Sequence, residues 1–167
     1  MLIRDEMPRD IPAIRQTISD AMQLLPQATG TEAAIVDRLR QDGALAVSLV
    51  ADEGAGVIGH LAVSAARIGV QQGWGLIGPL AVRPARHRQG IGTALMNAAL
   101  DRLRQAGWRG AALVGEPGYY GRFGFAAFAG VTVTGCPPQY VLVKPFGPEA
   151  PAGELIHAAA FGLHQPG

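Results

Sequence analysis

The sequence holds a single cysteine, Cys136. An internal disulfide is therefore excluded, and so is a metal centre built on cysteines. Lysine is as scarce: Lys144 is the only one, and arginine carries the rest of the positive charge. The formal net charge is +1 at pH 7, too little for the basic field that draws a protein onto nucleic acid. No apolar run approaches the roughly 20 residues that a membrane-spanning helix needs. The opening "MLIRDEMPRD" carries charge from its fourth residue, unlike a secretory signal. A cytoplasmic protein is expected, with neither nucleic acid nor a membrane as partner. No internal repeat is visible.

What is there is largely apolar. Hydrophobic residues make up 49% of the chain and charged residues 16%, the balance of a compact fold rather than a disordered chain. At 167 residues, one domain spanning residues 1–167 is expected, long enough to bury a core. "MLIR" reads as a first strand. In residues 8–22, Ile11, Ile14 and Ile18 recur at helical spacing, which predicts a helix. Residues 31–43 predict a second, capped by Thr31 and stopped by Gly43. Residues 44–68 predict a hairpin turning near "EGAG", and residues 73–82 a fourth strand. Pro79 cannot donate to a ladder, so a bulge or an edge is expected there. From Gly90 to Gly107 the period becomes helical, with Ile91, Ala94, Leu95, Ala98, Ala99, Leu103 and Ala106 on one face. "GAALVG" predicts a central strand, "EPGYYGRFGF" a turn or single helical turn, and "QYVLVKPF" another strand. "ELIHAAAF" reads as a final strand, with a short helix as the alternative. The fold class is α/β (α+β), a mixed sheet with helices packed against it.

The informative stretch is "AVRPARHRQGIGTALMNAAL", residues 81–100. A strand that runs through a glycine-punctuated turn into a helix makes an anion site. The first amides of a helix have no internal partner, and the dipole favours negative charge there. Gly90 and Gly92 let a phosphate approach the backbone with no Cβ in the way. Arg83, Arg86 and Arg88 offer guanidinium forks suited to phosphate oxygens. No Gly-Lys-Ser/Thr follows, so this is not a mononucleotide P-loop. "GIGTAL" lacks the third glycine of the dinucleotide fingerprint, and no acid sits about 20 residues on at a strand end. A tight strand-to-helix connection with solvated arginines remains the alternative from these residues alone.

"LAVRPARHRQGIGTALM" resembles the acetyl-CoA-binding motif of the GNAT N-acetyltransferase superfamily: a strand ending Leu-x-Val, a proline, then Gln/Arg-x-x-Gly-x-Gly/Ala opening a helix. "YYGRFGF" resembles the same family's aromatic-Tyr-x-x-x-Gly-Phe. "LVGEPGYYGRFGF" is similar to one branch, the YhbS-like group of N-acetyltransferases. The resemblance implies the GNAT acyl-CoA N-acyltransferase fold, a mixed central β-sheet flanked by helices, over nearly the whole chain. It implies acetyl-CoA (coenzyme A) as cofactor. The pyrophosphate would lie over His87, Arg88, Gln89, Gly90, Ile91 and Gly92, with Thr93 capping the site. The pantetheine arm would pair with the backbone of Leu80, Ala81 and Val82, where the fourth and fifth strands splay, and a bulge at Pro79 would supply the splay. Tyr119 and Phe123 would pack against the cofactor. One position departs from the pattern: His87 stands where the motif has Gln or Arg. It can still donate a hydrogen bond, in a pH-dependent way.

The resemblance implies amine acetylation, and the chemistry names the groups required. The amine must lose a proton, the acetyl carbonyl must be held, and the leaving sulfur needs a proton donor. Tyr120 occupies the family's acid position, with Tyr119 beside it. The glutamate that many members carry on the fourth strand is missing from "GWGLIGPLAV". Glu116 and His60 are the remaining candidates for the base. His157 and His164 fit no metal-binding spacing, and no metal is assigned. Cys136 has no histidine near it in sequence and is set aside as a nucleophile. The acceptor pocket would be formed by the first two helices and the loops near residues 20–32 and 129–139, which are apolar or neutral. The expected acceptor is a small-molecule amine. A protein or peptide amine, and a non-catalytic acyl-CoA sensor, are the alternatives, in a monomer or homodimer.

Overall fold

The computed structural model describes residues 1–26 and 28–164, with the side chains of all of these except Leu163 and His164. Among the described residues the chain forms one sheet system with helices on both faces. In chain order the elements are β1 (Leu2–Asp5), α1 (Ile11–Met22), α2 (Glu32–Gln41), β2 (Leu45–Asp52), β3 (Val57–Ile68), β4 (Gln71–Val82), α3 (Ile91–Gln105), β5 (Gly110–Val114), a single turn α4 (Pro117–Tyr120), β6 (Ala126–Ala127), β7 (Val131–Thr132), β8 (Val141–Pro145) and β9 (Gly153–Ile156). The sheet runs β1-β2-β3-β4-β5-β8-β6. Its pairs are antiparallel except β4 with β5. β4 holds one side of β3 along residues 59–68. β9 pairs with Arg67 and Ile68 on the other side, where β2 has ended.

β3 is buried on both faces, and its alternation sorts the core. Leu61 and Val63 face α3, where they meet Leu95, Ala99 and Leu103. Ala62 faces α1 and packs with Ile14, Ile18 and Ala21. Gly59 and Gly75 let α3 lie close: a Cβ on Gly59 would stand 3.0 Å from both Ile91 and Leu95, and one on Gly75 would stand 2.9 Å from Leu103. The alanine-rich pattern of α3 misplaces its face. Met96 and Leu100 are buried with Leu95 and Leu103, whereas Ala106 is exposed. Larger side chains win the core because each removes more apolar surface from water.

Three further expectations are refined. Thr31 holds the N-cap position of α2, its hydroxyl 2.6 Å from that of Thr29, and the Glu32 carboxylate accepts from the amides of Thr29 and Gly30. The "ELIHAAAF" segment divides into β9 and a 3-10 stretch, Ala159–His164. β6 and β7, two residues each, are additional strands: β6 directly follows the segment read as a turn, and β7 lies in the loop near residues 129–139.

The feature that opens the site lies on β4. Leu61 pairs with Leu80 and Val63 with Ile77, so Gly78 and Pro79 together oppose Ala62. This is the bulge that Pro79 leads one to expect, and the Gly78–Pro79 peptide is cis. β4 pairs with β5 only at Trp74, Gly75 and Leu76. Past Leu76 the two strands part, leaving the outer edge of β4 without a strand partner.

Candidate active site

The parted strands lead into a cleft of about 730 Å³. The end of β4, the start of α3, the C-terminal turn of α1 and the α4 turn form its walls. The Arg83 amide donates to the Ile58 carbonyl across the sheet, 2.9 Å. By antiparallel alternation, the peptide groups of Ala81 also face β3, and those of Leu80 and Val82 face outward. Leu80 and Val82 line the cleft. The Ala81 side chain is buried in the α1 core instead.

At the start of α3, Gly90 is the N-cap with φ 81°. The first helical bond runs from the Ala94 amide to the Gly90 carbonyl, 3.0 Å. The amides of Ile91, Gly92 and Thr93 therefore have no partner within the helix. Arg88 also adopts positive φ, 64°, a conformation uncommon for a non-glycine residue. Two left-handed residues flanking Gln89 curl the chain into a concave run of amides, the geometry of an anion nest. Gly92 is needed for contact: a Cβ there would stand 3.1 Å from the Tyr119 hydroxyl.

The arginines divide. Arg83 turns its guanidinium back to the sheet and donates to the Val57 carbonyl, 2.7 Å, so it braces the β3–β4 edge and is absent from the cleft wall. Arg86 lines the cleft but pairs with Glu53 and donates to Gln89 Oε1. Arg88, exposed, also lines the cleft. His87 behaves differently from the expected ligand donor. Its Nε2–H donates to the outward carbonyl of Val82, 2.8 Å, closing the turn back on the end of β4.

Both tyrosines of "YYGRFGF" line the cleft with Arg122. Their rings meet edge to face, with centroids 4.8 Å apart. Arg122 lies over the Tyr119 ring at 4.5 Å and donates to the Tyr119 carbonyl. Phe123 is buried in the α3-side core and meets Tyr119 edge-on, so it supports the ring rather than the cleft wall. Tyr120 packs on Gly115, where a Cβ would approach its ring to 2.5 Å. Burial, with the nearby Tyr119 adding to it, pushes the Tyr120 phenol up to about 12. It therefore keeps its proton through the neutral and mildly alkaline range.

The two candidate bases are not brought to this cleft. The Glu116 side chain is exposed, and its carbonyl accepts the amides of Tyr119 and Tyr120 at the start of α4. His60 has no exposed surface. It lies on the α1–α2 face of β3, where Ser48 Oγ donates to Glu6 and accepts from His60 Nε2–H, 2.8 Å. Arg40 clamps Glu6 from outside, 2.8 and 2.9 Å. This Arg40–Glu6–Ser48–His60 line was not legible in the sequence, because its members are far apart along the chain. The Cys136 thiol is partly buried, its pKa raised by that burial, and it donates to the Pro137 carbonyl. His157 Nδ1–H donates to the Ala158 carbonyl. The His164 side chain lies outside the described residues, as does Gln27 of the α1–α2 loop.

Comparison with known proteins agrees with this geometry. The profile of the Acetyltransferase (GNAT) family matches residues 12–125. The chain is 38% identical over 127 residues to the N-acetyltransferase YhbS of Escherichia coli strain K12, itself uncharacterized, covering 75% of this chain and 73% of that one. It superposes on a GNAT family acetyltransferase from Brucella melitensis, crystallised with acetyl-CoA, with a TM-score of 0.85 and 42% identity, covering 96% and 97% of the two chains. It superposes on Escherichia coli YhbS, crystallised with CoA, with a TM-score of 0.89 and 28% identity over 98% and 93% of the chains. With a parted β4–β5 edge and an open helix start in one cleft, and with relatives matching along nearly its whole length, this chain belongs to the GNAT acetyltransferase family.

Proposed function

We propose that the protein moves an acetyl group from acetyl-CoA to the primary amine of a small molecule. The observation that carries this reading is the meeting, in one cleft, of a strand edge freed by the Pro79 bulge and a helix start whose amides lack partners. The relatives crystallised with acetyl-CoA and with CoA support the same donor here. When bound, acetyl-CoA supplies an activated thioester, and the chain's task is to hold it and manage protons.

In this reading, Gly90, Ile91, Gly92 and Thr93 hold the pyrophosphate through backbone amides and the helix dipole. Arg88 and Gln89 contribute from the rim of the turn. The outward amide of Leu80 and the backbone of Val82 pair with the pantetheine arm, and Tyr119 packs beside it. His87 positions the Val82 peptide and leaves the phosphates to the helix start. The Tyr120 hydroxyl donates a hydrogen bond to the departing sulfur. Its raised pKa keeps the proton in place until the sulfur departs; the proton then passes to the sulfur, which leaves as the free thiol, and solvent water at the cleft mouth returns a proton to the phenol. No carboxylate lines the cleft among the described residues, so the amine's proton passes to solvent water at the open mouth.

Thermal denaturation with ligand tests the reading. Acetyl-CoA at a hundred times its dissociation constant should stabilise the fold by about 2.7 kcal/mol. For a chain of this size, that raises the melting temperature by roughly 5–10 °C. NADH and ATP should give no comparable rise. An unchanged melting temperature with acetyl-CoA, or an equal rise with NADH, would overturn it.

A further inference from the structure

Arg86 lines the cofactor cleft, yet its guanidinium is already spent: Nη1 donates to the Glu53 carboxylate and Nε to Gln89 Oε1, 2.9 Å. Glu53 belongs to neither the β4–α3 turn nor α3. It lies on the loop that joins β2 to β3. That loop is braced. The Gly54 amide donates to Asp52 Oδ1, 2.8 Å, and the Glu53 amide to the Gly56 carbonyl, 3.3 Å. Arg4 grips Asp52 Oδ2 at 3.0 Å and Asp10 at 2.8 Å. Glu53 is therefore a carboxylate on a fixed base, set against a cation at the rim of the anion nest.

Of the three arginines in the cleft wall, Arg86 alone carries a carboxylate; Arg88 and Arg122 make no ion pair among the described residues. The Arg86 and Glu53 side chains are 34% and 31% exposed, and solvent screening leaves such a pair little net stability. A guanidinium fork on phosphate oxygens is the stronger contact. A pyrophosphate on the amides of Ile91, Gly92 and Thr93 stands close to Gln89, the other partner of Arg86, and brings negative charge to the same rim. The long arginine side chain can then change partners without a change in the backbone. Each phosphate contact that Arg86 makes requires the Glu53 pair to open, so the carboxylate and the phosphates compete for one cation.

Resting on the reading that the α3 start holds the cofactor pyrophosphate, we propose that Glu53 is a competing counter-ion that sets cofactor affinity: it holds Arg86 until a cofactor phosphate takes the guanidinium over. Acetyl-CoA and free CoA carry the same phosphates, so Glu53 weakens both alike and speeds the departure of CoA. It is a positioning residue, acting through Arg86 and touching neither cofactor nor acceptor.

The test is calorimetry on the full chain, with Kd measured for acetyl-CoA and for CoA at low and high salt. Glu53→Gln should tighten both ligands roughly three- to tenfold at about 0.05 M salt, and by less than about twofold at about 0.5 M, where the Debye length falls to a few ångströms. A carboxylate that only braced its loop would lose affinity on this substitution, never gain it. The gain should need Arg86: Glu53→Gln combined with Arg86→Gln should bind both ligands no more tightly than the parent chain. Affinity unchanged or weakened in Glu53→Gln, or a gain that survives the loss of Arg86, overturns the counter-ion role and leaves the cofactor site standing. If the parent chain binds neither ligand, or Gly90→Val binds them as tightly as the parent, the cofactor site itself is misplaced and the counter-ion role falls with it.

Discussion

Tyr120 and His60 are both buried ionisable groups, and burial gives them different tasks. Replacing Tyr120 by Phe keeps the ring on Gly115 and removes the donor. Turnover should fall by roughly 10²–10⁴-fold, with acetyl-CoA affinity retained. Tyr119→Phe should be mild, because the Tyr119 ring keeps its stacking against Arg122. Steady-state thiol release on both variants decides, and a dead Tyr119→Phe beside an active Tyr120→Phe would reverse the assignment. His60 belongs to stability. Burial lowers its imidazole to about 4, with Arg40 adding to the lowering and Glu6 opposing it. The unfolded chain takes up this proton near pH 6.5, the folded chain only near pH 4. Stability complete above pH 6.5 is therefore lost as pH falls towards 4. Urea unfolding should show a loss of about 2 kcal/mol between pH 7 and 5. His60→Gln, which has no proton to gain there, should remove most of that slope, and an unchanged slope would assign the acid sensitivity elsewhere.

At the scale of elements, the turn between β4 and α3 organises the cleft. Gly90 at φ 81° sits where a β-branched side chain is strained. Gly90→Val should lower stability by about 1–3 kcal/mol and weaken acetyl-CoA binding more than tenfold, measured by calorimetry on the folded fraction. Arg83→Ala should leave that affinity within twofold and lower stability by about 1 kcal/mol, since its guanidinium holds the Val57 carbonyl. Equal affinity losses in both variants would return Arg83 to the phosphate site. Much of this turn was legible in the sequence. Glycines at a helix start and a proline inside a strand restrict the backbone locally, so residues 90–93 and the Pro79 bulge could be read directly. Arg83 and His87 could not, because their partners, the Val57 and Val82 carbonyls, are chosen by the tertiary path of the chain. The same reason hid β6 and β7, whose two residues carry no period of their own. The face of α3 was blurred because alanine is frequent on every side of it. Nothing local separates a buried strand histidine from one in a cleft, so His60 was a candidate until the α1 layer was seen to cover it.

On the whole molecule, one layer supports and the other admits. α3 seals one face of the sheet with Leu95, Ala99 and Leu103, while α1 covers only part of the other, and just past its end the exposed Leu25 lines the cleft. Packing is therefore complete behind the helix start that would hold the donor and open where an acceptor would enter. The proposed transfer requires this opening to do more than bind. The direct measurement is to incubate the full chain with acetyl-CoA and 2-phenylethylamine, follow free thiol, and weigh the amine by mass spectrometry. One thiol should be released per acetylated amine, with the yield collapsing in Tyr120→Phe. Acetyl-CoA that binds tightly yet stays intact with every amine offered would contradict it.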